Sequence, residues 1–159
     1  MEKIIEYIKS KARLSESPIH GIRHWKNVEK IGIYLCERNN ADRDVVKMFA
    51  YIHDSGRVNE DEDFEHGKRS VEIAKEMVEN KIMTSLDENQ LRKLYYACEH
   101  HSEADAESDD STIQTCWDAD RLDLWRLRIT PRKELLYTDA GKTIEASEYA
   151  KKLHSHFVY

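Results

Sequence analysis

Apolar residues return at intervals of three and four along almost the whole chain, and only five glycines and two prolines interrupt it. Period-two alternation, the mark of a half-buried strand, is hard to find, so the pattern predicts an all-α fold. At 159 residues the chain is long enough for one core and too short for two well-packed ones. A single helical bundle over 1–159 is expected, with a helical tail over 128–159.

A first helix near 3–14 turns Ile4, Ile5, Ile8 and Ala12 inward. Residues 15–18 break it, and His20-Gly21 leads into a second helix carrying His24, Val28, Ile31 and Leu35. Cap-type and acidic residues at 40–44 start a third, with Val46, Phe49, Ala50 and His53 inward, and Gly56 ends it. The acidic run 60–63 reads as a solvated loop. A fourth helix starts near His66 with Ser70, Ile73, Ala74 and Met77 on one face. Ser85-Leu86-Asp87-Glu88 has capping-box spacing and opens a fifth through Leu91, Leu94, Cys98 and His101. After a polar loop at 102–111, a sixth carries Ile113, Cys116, Trp117, Asp120 and Leu124. Thr130-Pro131 supplies the cap and first-turn proline of a short helix, and Ala146, Tyr149, Ala150, Leu153 and Phe157 line the last.

The net charge of −6, with 35% charged residues, describes an acidic, well-solvated surface. A binder of long nucleic acid or of a membrane surface shows a basic face instead, so neither partner is expected. Cys36, Cys98 and Cys116 are scattered, odd in number and without a CxxC pair, which fits thiols of a reducing compartment. No stretch has the length of a membrane span and no apolar secretion block opens the chain, so a cytoplasmic location is the expectation.

Several ionisable residues stand on stripes that should face the core. His24 leads Val28, Ile31 and Leu35; His53 closes Val46, Phe49 and Ala50; Asp54 follows Ala50 by four; Asp120 follows Ile113, Cys116 and Trp117. A buried, unpaired carboxylate costs several kcal/mol, so acids on apolar faces need a partner, and one shared cation serves them all. A hydrogen-bonded core histidine accounts for any one of these positions, but not for the joint set. Two imidazoles and two carboxylates suit a divalent ion: manganese, iron, cobalt, nickel or magnesium.

The set resembles the HD-domain superfamily of metal-dependent phosphohydrolases, whose signature is an early His, a His-Asp doublet one helix later and a distant Asp. Here these are His24 in His20-Gly21-Ile22-Arg23-His24-Trp25, the doublet in His53-Asp54-Ser55-Gly56-Arg57, and Asp120 in Asp118-Ala119-Asp120-Arg121-Leu122-Asp123. The motif-bearing core spans about 20–127. The resemblance implies that His24, His53, Asp54 and Asp120 hold the metal. Asp118, to the side of the inward stripe, and Asp123, one turn on, are candidates for orienting a ligand or Arg121. His66 and His101 fill the places of two further family histidines, which bind a second ion in some members and face the substrate phosphate in others. His100, sharing a face with Lys93 and Tyr96, is read as exposed.

Such a site implies hydrolysis, because a divalent ion lowers the pKa of bound water from about 15.7 towards 7. Asp54 is placed to accept a hydrogen bond from the nucleophilic water, and His66 and His101 to serve phosphate or leaving group as catalytic residues. Arg57, Arg121, Lys68 and Arg23 are the candidate phosphate-binding cations, with Arg57 standing where many family members have Lys. Trp25, Trp117 and Trp125 are assigned to packing. Pro131 and 138–143 are expected to close over the site. The function expected is hydrolysis of a small phosphorylated molecule, nucleotides first. The alternatives are a two-metal iron oxygenase and a non-catalytic nucleotide-binding module.

Overall fold

A computed structural model describes residues 1–155, and all regular structure among them is helical. The α-helices are α1 (Glu2–Lys11), α2 (Ile22–Cys36), α3 (Arg43–Ile52), α4 (His66–Glu79), α5 (Glu88–His100), α6 (Ser111–Leu122) and α7 (Ile144–Lys152). Short 3-10 turns at Asp123–Leu127 and Lys133–Leu135 separate the last two. The all-α class expected from periodicity is the one observed. Phe157, assigned to the last helix, lies outside the described residues.

The core is organised around α3. Val45, Val46, Met48, Phe49, Ala50, Tyr51 and Ile52 are all buried there, and only the first turn and Lys47 reach solvent, as the near-continuous apolar run requires. α1, α2, α4, α5 and α6 pack around it. Trp25 and Trp117 are fully buried, with indole N–H groups donating to the His20 carbonyl (2.8 Å) and the Ala97 carbonyl (3.0 Å), so both belong to packing. α4 crosses α5 very closely, since a Cβ on Gly67 would overlap the Cys98 and Glu99 carbonyls. This close approach brings the start of α4 against the end of α5.

Helix ends follow local chemistry, with shifts from the expected positions. Asp42 caps α3, accepting from the Asp44 and Val45 amides. The capping box of α5 is Asp87 with Gln90, two residues later than the Ser85 box expected. α1 ends at Lys11, short of 14. α6 tightens into the 3-10 turn at Asp123, and Arg128, at φ 60°, ends that turn. Thr130-Pro131 opens no α-helix; the chain there has no regular structure until the 3-10 turn at Lys133. The run 60–63 is not a purely solvated loop, because Glu60 pairs with His20 and Ser17, and Asp63 pairs with Arg69 and accepts from the Val58 amide.

All three cysteines are free, and burial pushes the Cys36 thiol up to about 11 and raises the Cys98 and Cys116 thiols well above the ordinary range. Among the described residues no helix is long and apolar enough to cross a membrane.

Candidate metal centre

Five helices deliver one cluster of side chains. His24 comes from the first turn of α2, His53 and Asp54 from the C-terminal end of α3, and Asp120 from the last turn of α6. His66 is the first residue of α4, and His101 follows the last residue of α5. Asp54 and all four histidines are buried, and Asp120 is the most open member, with its side chain 18% exposed.

The cluster has two lobes joined by Asp54. In the first, His24 Nε2 lies 3.1 Å from His53 Nε2, 3.2 Å from Asp120 Oδ1 and 3.6 Å from Asp54 Oδ2. His53 Nε2 lies 3.5 Å from the same Asp54 oxygen and 3.6 Å from Asp120 Oδ1. In the second, His66 Nε2 and His101 Nε2 are 2.9 Å apart, and each is 3.3 Å from Asp54 Oδ1. Donors held about 2.1 Å from one ion stand about 3.0–3.4 Å apart along the edges of its coordination polyhedron. Both lobes have spacings close to that.

Protonation makes the case for a cation. Each Nδ1–H is committed: His53 to the Phe49 and Ala50 carbonyls, His101 to the Cys98 carbonyl at 2.6 Å, His66 to the Asp63 carbonyl, and His24 to Asp123 Oδ2 at 2.7 Å. Acceptors at Nδ1 fix that tautomer, so in the neutral rings every Nε2 presents a lone pair to the cluster. Two facing lone pairs at 2.9 or 3.1 Å repel unless positive charge lies between them. Buried carboxylates beside them strengthen the same demand. The donor set therefore fits one divalent ion in the first lobe and a second beside His66 and His101.

The same acids that would attract a metal ion also favour a proton on two of the rings, so metal and proton compete for the cluster. Burial would raise Asp54, but His53, His101 and His66 hold its carboxyl well below the usual range, and His24 and His53 do the same for Asp120 against its own burial. Burial lowers His53 despite the acids beside it. At His24 burial and Arg126 oppose charge, yet Asp120 and Asp123 prevail and raise it; at His101 Asp54 prevails over burial.

The four positions expected to bind metal thus converge, with both further histidines. Asp123 is fully buried, and its Oδ2 lies 2.7 Å from His24 Nδ1. Asp118 does not orient a ligand: its oxygens accept from the Tyr137 and Thr138 amides and the Thr138 hydroxyl, anchoring the segment after α6. Arg57 Nε lies 3.1 Å from Asp54 Oδ1 and braces that carboxylate. Arg121 donates to the Leu135 carbonyl at 2.7 Å, stacks on Tyr137 and borders a cavity of about 420 Å³. His101, Ser102, Glu134, Leu135 and Tyr137 also line it. Residues 134–137 line this cavity, whereas Pro131 and 138–143, expected to close over the site, do not. Lys68 stands outside, 61% exposed and paired with Glu65. Arg23 borders a separate small cavity of about 60 Å³ on the Nδ1 side of His24. His154, overlooked in the sequence, joins Asp123 there.

Imidazoles and carboxylates gathered from five helices define a helical protein with a metal-ligand cluster at its centre. The chain belongs to the HD-domain family, whose model matches residues 21–136, and so to a superfamily of metal-dependent phosphohydrolases. A similar solved structure is the crystal structure of a predicted HD superfamily hydrolase from an uncultured Thermotogales bacterium, at TM-score 0.71 and 18% identity. The match covers 99% of this chain and 88% of that one, a likeness of fold. No curated protein matches the sequence.

Proposed function

We propose that this protein hydrolyses the phosphoester or phosphoanhydride bond of a small phosphorylated molecule, with nucleotides as the leading class. One observation carries the reading: the two oxygens of Asp54 face two separate pairs of histidine lone pairs. His24, His53, Asp54 and Asp120 are the residues to hold one divalent ion, and His66, His101 and Asp54 a second. Bound there, a divalent ion supplies Lewis acidity towards a phosphoryl oxygen and lowers the pKa of water.

The protein's own residues supply the rest. His66 and His101 already donate their Nδ1 hydrogens to carbonyls, which supports cation binding over donation to phosphate. Asp54, held ionised, orients its neighbours and accepts a hydrogen bond from the attacking water. Substrate enters the cavity of about 420 Å³ beside His101, a volume inside the roughly 300–1,000 Å³ of small-molecule sites. Arg121 meets the phosphate there with a guanidinium fork. Arg57 keeps Asp54 in register. The acidic surface, net −6, suits a small substrate in solution, in the cytoplasm, better than a long polyanion.

The test is hydrolysis by chelated and metal-reconstituted protein across nucleoside mono- and triphosphates and sugar phosphates. Activity should return with added divalent metal and disappear in Asp54→Ala while helical content stays unchanged. A metal-loaded protein inactive on the whole panel would end the proposal. The second histidine pair also supports an iron oxygenase, which two irons per chain and substrate-dependent oxygen uptake would establish.

A further inference from the structure

We infer that His154, at the end of the C-terminal helix and beyond the 21–136 span that matches the family, is a positioning residue of the metal centre, acting through Asp123 on His24. Its Nε2 lies 2.7 Å from Asp123 Oδ1, and the other oxygen of that carboxylate lies 2.7 Å from His24 Nδ1. The three side chains form a chain from the tail to a ligand atom of the first lobe.

Each link has a physical task. Asp123 is completely buried, so its charge requires partners on both oxygens. Without a donor on Oδ1, the carboxylate is free to rotate, which weakens its hold on the His24 Nδ1–H. That hold fixes the ring so that the Nε2 lone pair points at His53 and Asp120. Arg126 does not replace His154: its Nη1 is 4.0 Å from Asp123 Oδ2, on the His24 side, and its hydrogen bonds go to the Ile19 and Asp123 carbonyls. His154 therefore holds the far oxygen.

The placement also gives the tail a role. α7 packs on α2, α6 and the 3-10 turn at Asp123–Leu127. Ala146 and Ala150 are fully buried on it, and His154 extends their spacing by another four residues. The turn that follows the docked helix thus delivers the imidazole. Docking of the tail and completion of the first lobe become one event.

The inference rests on the metal-centre reading but not on the hydrolysis reading, because metal binding alone tests it. Cobalt(II) is titrated into chelated wild type, His154→Ala, His154→Gln, Asp123→Asn and the Asp123→Asn/His154→Ala double variant, by calorimetry and visible absorption. His154→Ala should bind about 10- to 100-fold more weakly, the usual effect of removing a partner behind a ligand. Glutamine, whose amide can reach the position of Nε2, should recover most of that loss. In the Asp123→Asn background, removal of His154 should add nothing, since it acts only through that carboxylate. Melting of the metal-free forms reports whether the tail stays docked. Unchanged affinity in His154→Ala, equal losses in the Ala and Gln variants, or additive losses in the double variant would each overturn the assignment. Wild type that takes up no cobalt would instead refute the metal centre itself.

Discussion

The two lobes of the cluster share Asp54 but are built differently. The first draws His24, His53 and Asp120 from α2, α3 and α6, all packed on one another in the core. It faces two carboxylates, Asp54 and Asp120, and has a third behind His24. The second stands on helix ends: His66 opens α4, His101 closes α5, and backbone carbonyls alone hold their Nδ1 atoms. Among the described residues its only ion-pairing carboxylate oxygen is Asp54 Oδ1, already shared with Arg57. Opposite charge at such short range dominates cation affinity. On the proposed reading, an ion in the first lobe should therefore be held more tightly than one in the second, which lies beside the cavity at His101.

The largest effect should come from setting Asp120→Ala against His66→Ala. Asp120→Ala is expected to retain no ion after gel filtration and to lose about 10³-fold or more in kcat/KM, since several kcal/mol of stabilisation disappear with the metal. His66→Ala should keep one ion per chain and lose about 10²-fold. Elemental analysis beside steady-state kinetics reads both. If the two variants lose the same ions, the lobes form one site and the comparison fails.

Arg121→Ala sharpens the distinction from the substrate side. The guanidinium borders the cavity and makes no contact with the ligand cluster, so ion content should not change. KM should rise about tenfold, near 1.4 kcal/mol, as expected for losing a charged fork on phosphate. An unchanged KM would mean that substrate binds elsewhere than beside His101.

One sequence signal located most of the cluster: ionisable residues on apolar helical stripes. His24, His53, Asp54 and Asp120 were legible because helix periodicity is local and a buried charge violates it. His154 follows Ala150 by four residues, in the turn just past α7, and was legible in principle. No motif surrounds it, and its partner Asp123 is remote in sequence, so nothing local marks it as part of the site. Asp118 failed for the opposite reason. α6 is buried on two faces, against the core and against 137–138, so a single inward stripe does not describe it. The Glu60–His20 and Asp63–Arg69 pairs are tertiary contacts of a loop, and composition carries no trace of them.

The smallest predicted effect concerns how the helices of the two lobes are joined. Asp110 caps α6, which carries Asp120, by accepting from the Thr112 and Ile113 amides, and it pairs at 2.8 Å with Lys93 of α5, which leads to His101. Asp110→Ala should cost about 1 kcal/mol, the usual value of an N-cap. Asp110→Asn keeps the acceptor and should cost only a few tenths, because the partly exposed ion pair is screened. Burial would raise this carboxyl, but Lys93 and the cap amides hold it below its ordinary value of 3.8. Its charge-dependent stabilisation is therefore complete at neutral pH and is lost as pH falls through the lowered folded value, where wild type and Asn variant converge. Thermal melts at neutral and strongly acid pH check that sign. If Asp110→Ala also releases the first-lobe ion, then cap chemistry, and not packing around α3, sets the ligand geometry, and the contrast between a core-built lobe and a helix-end lobe must be redrawn.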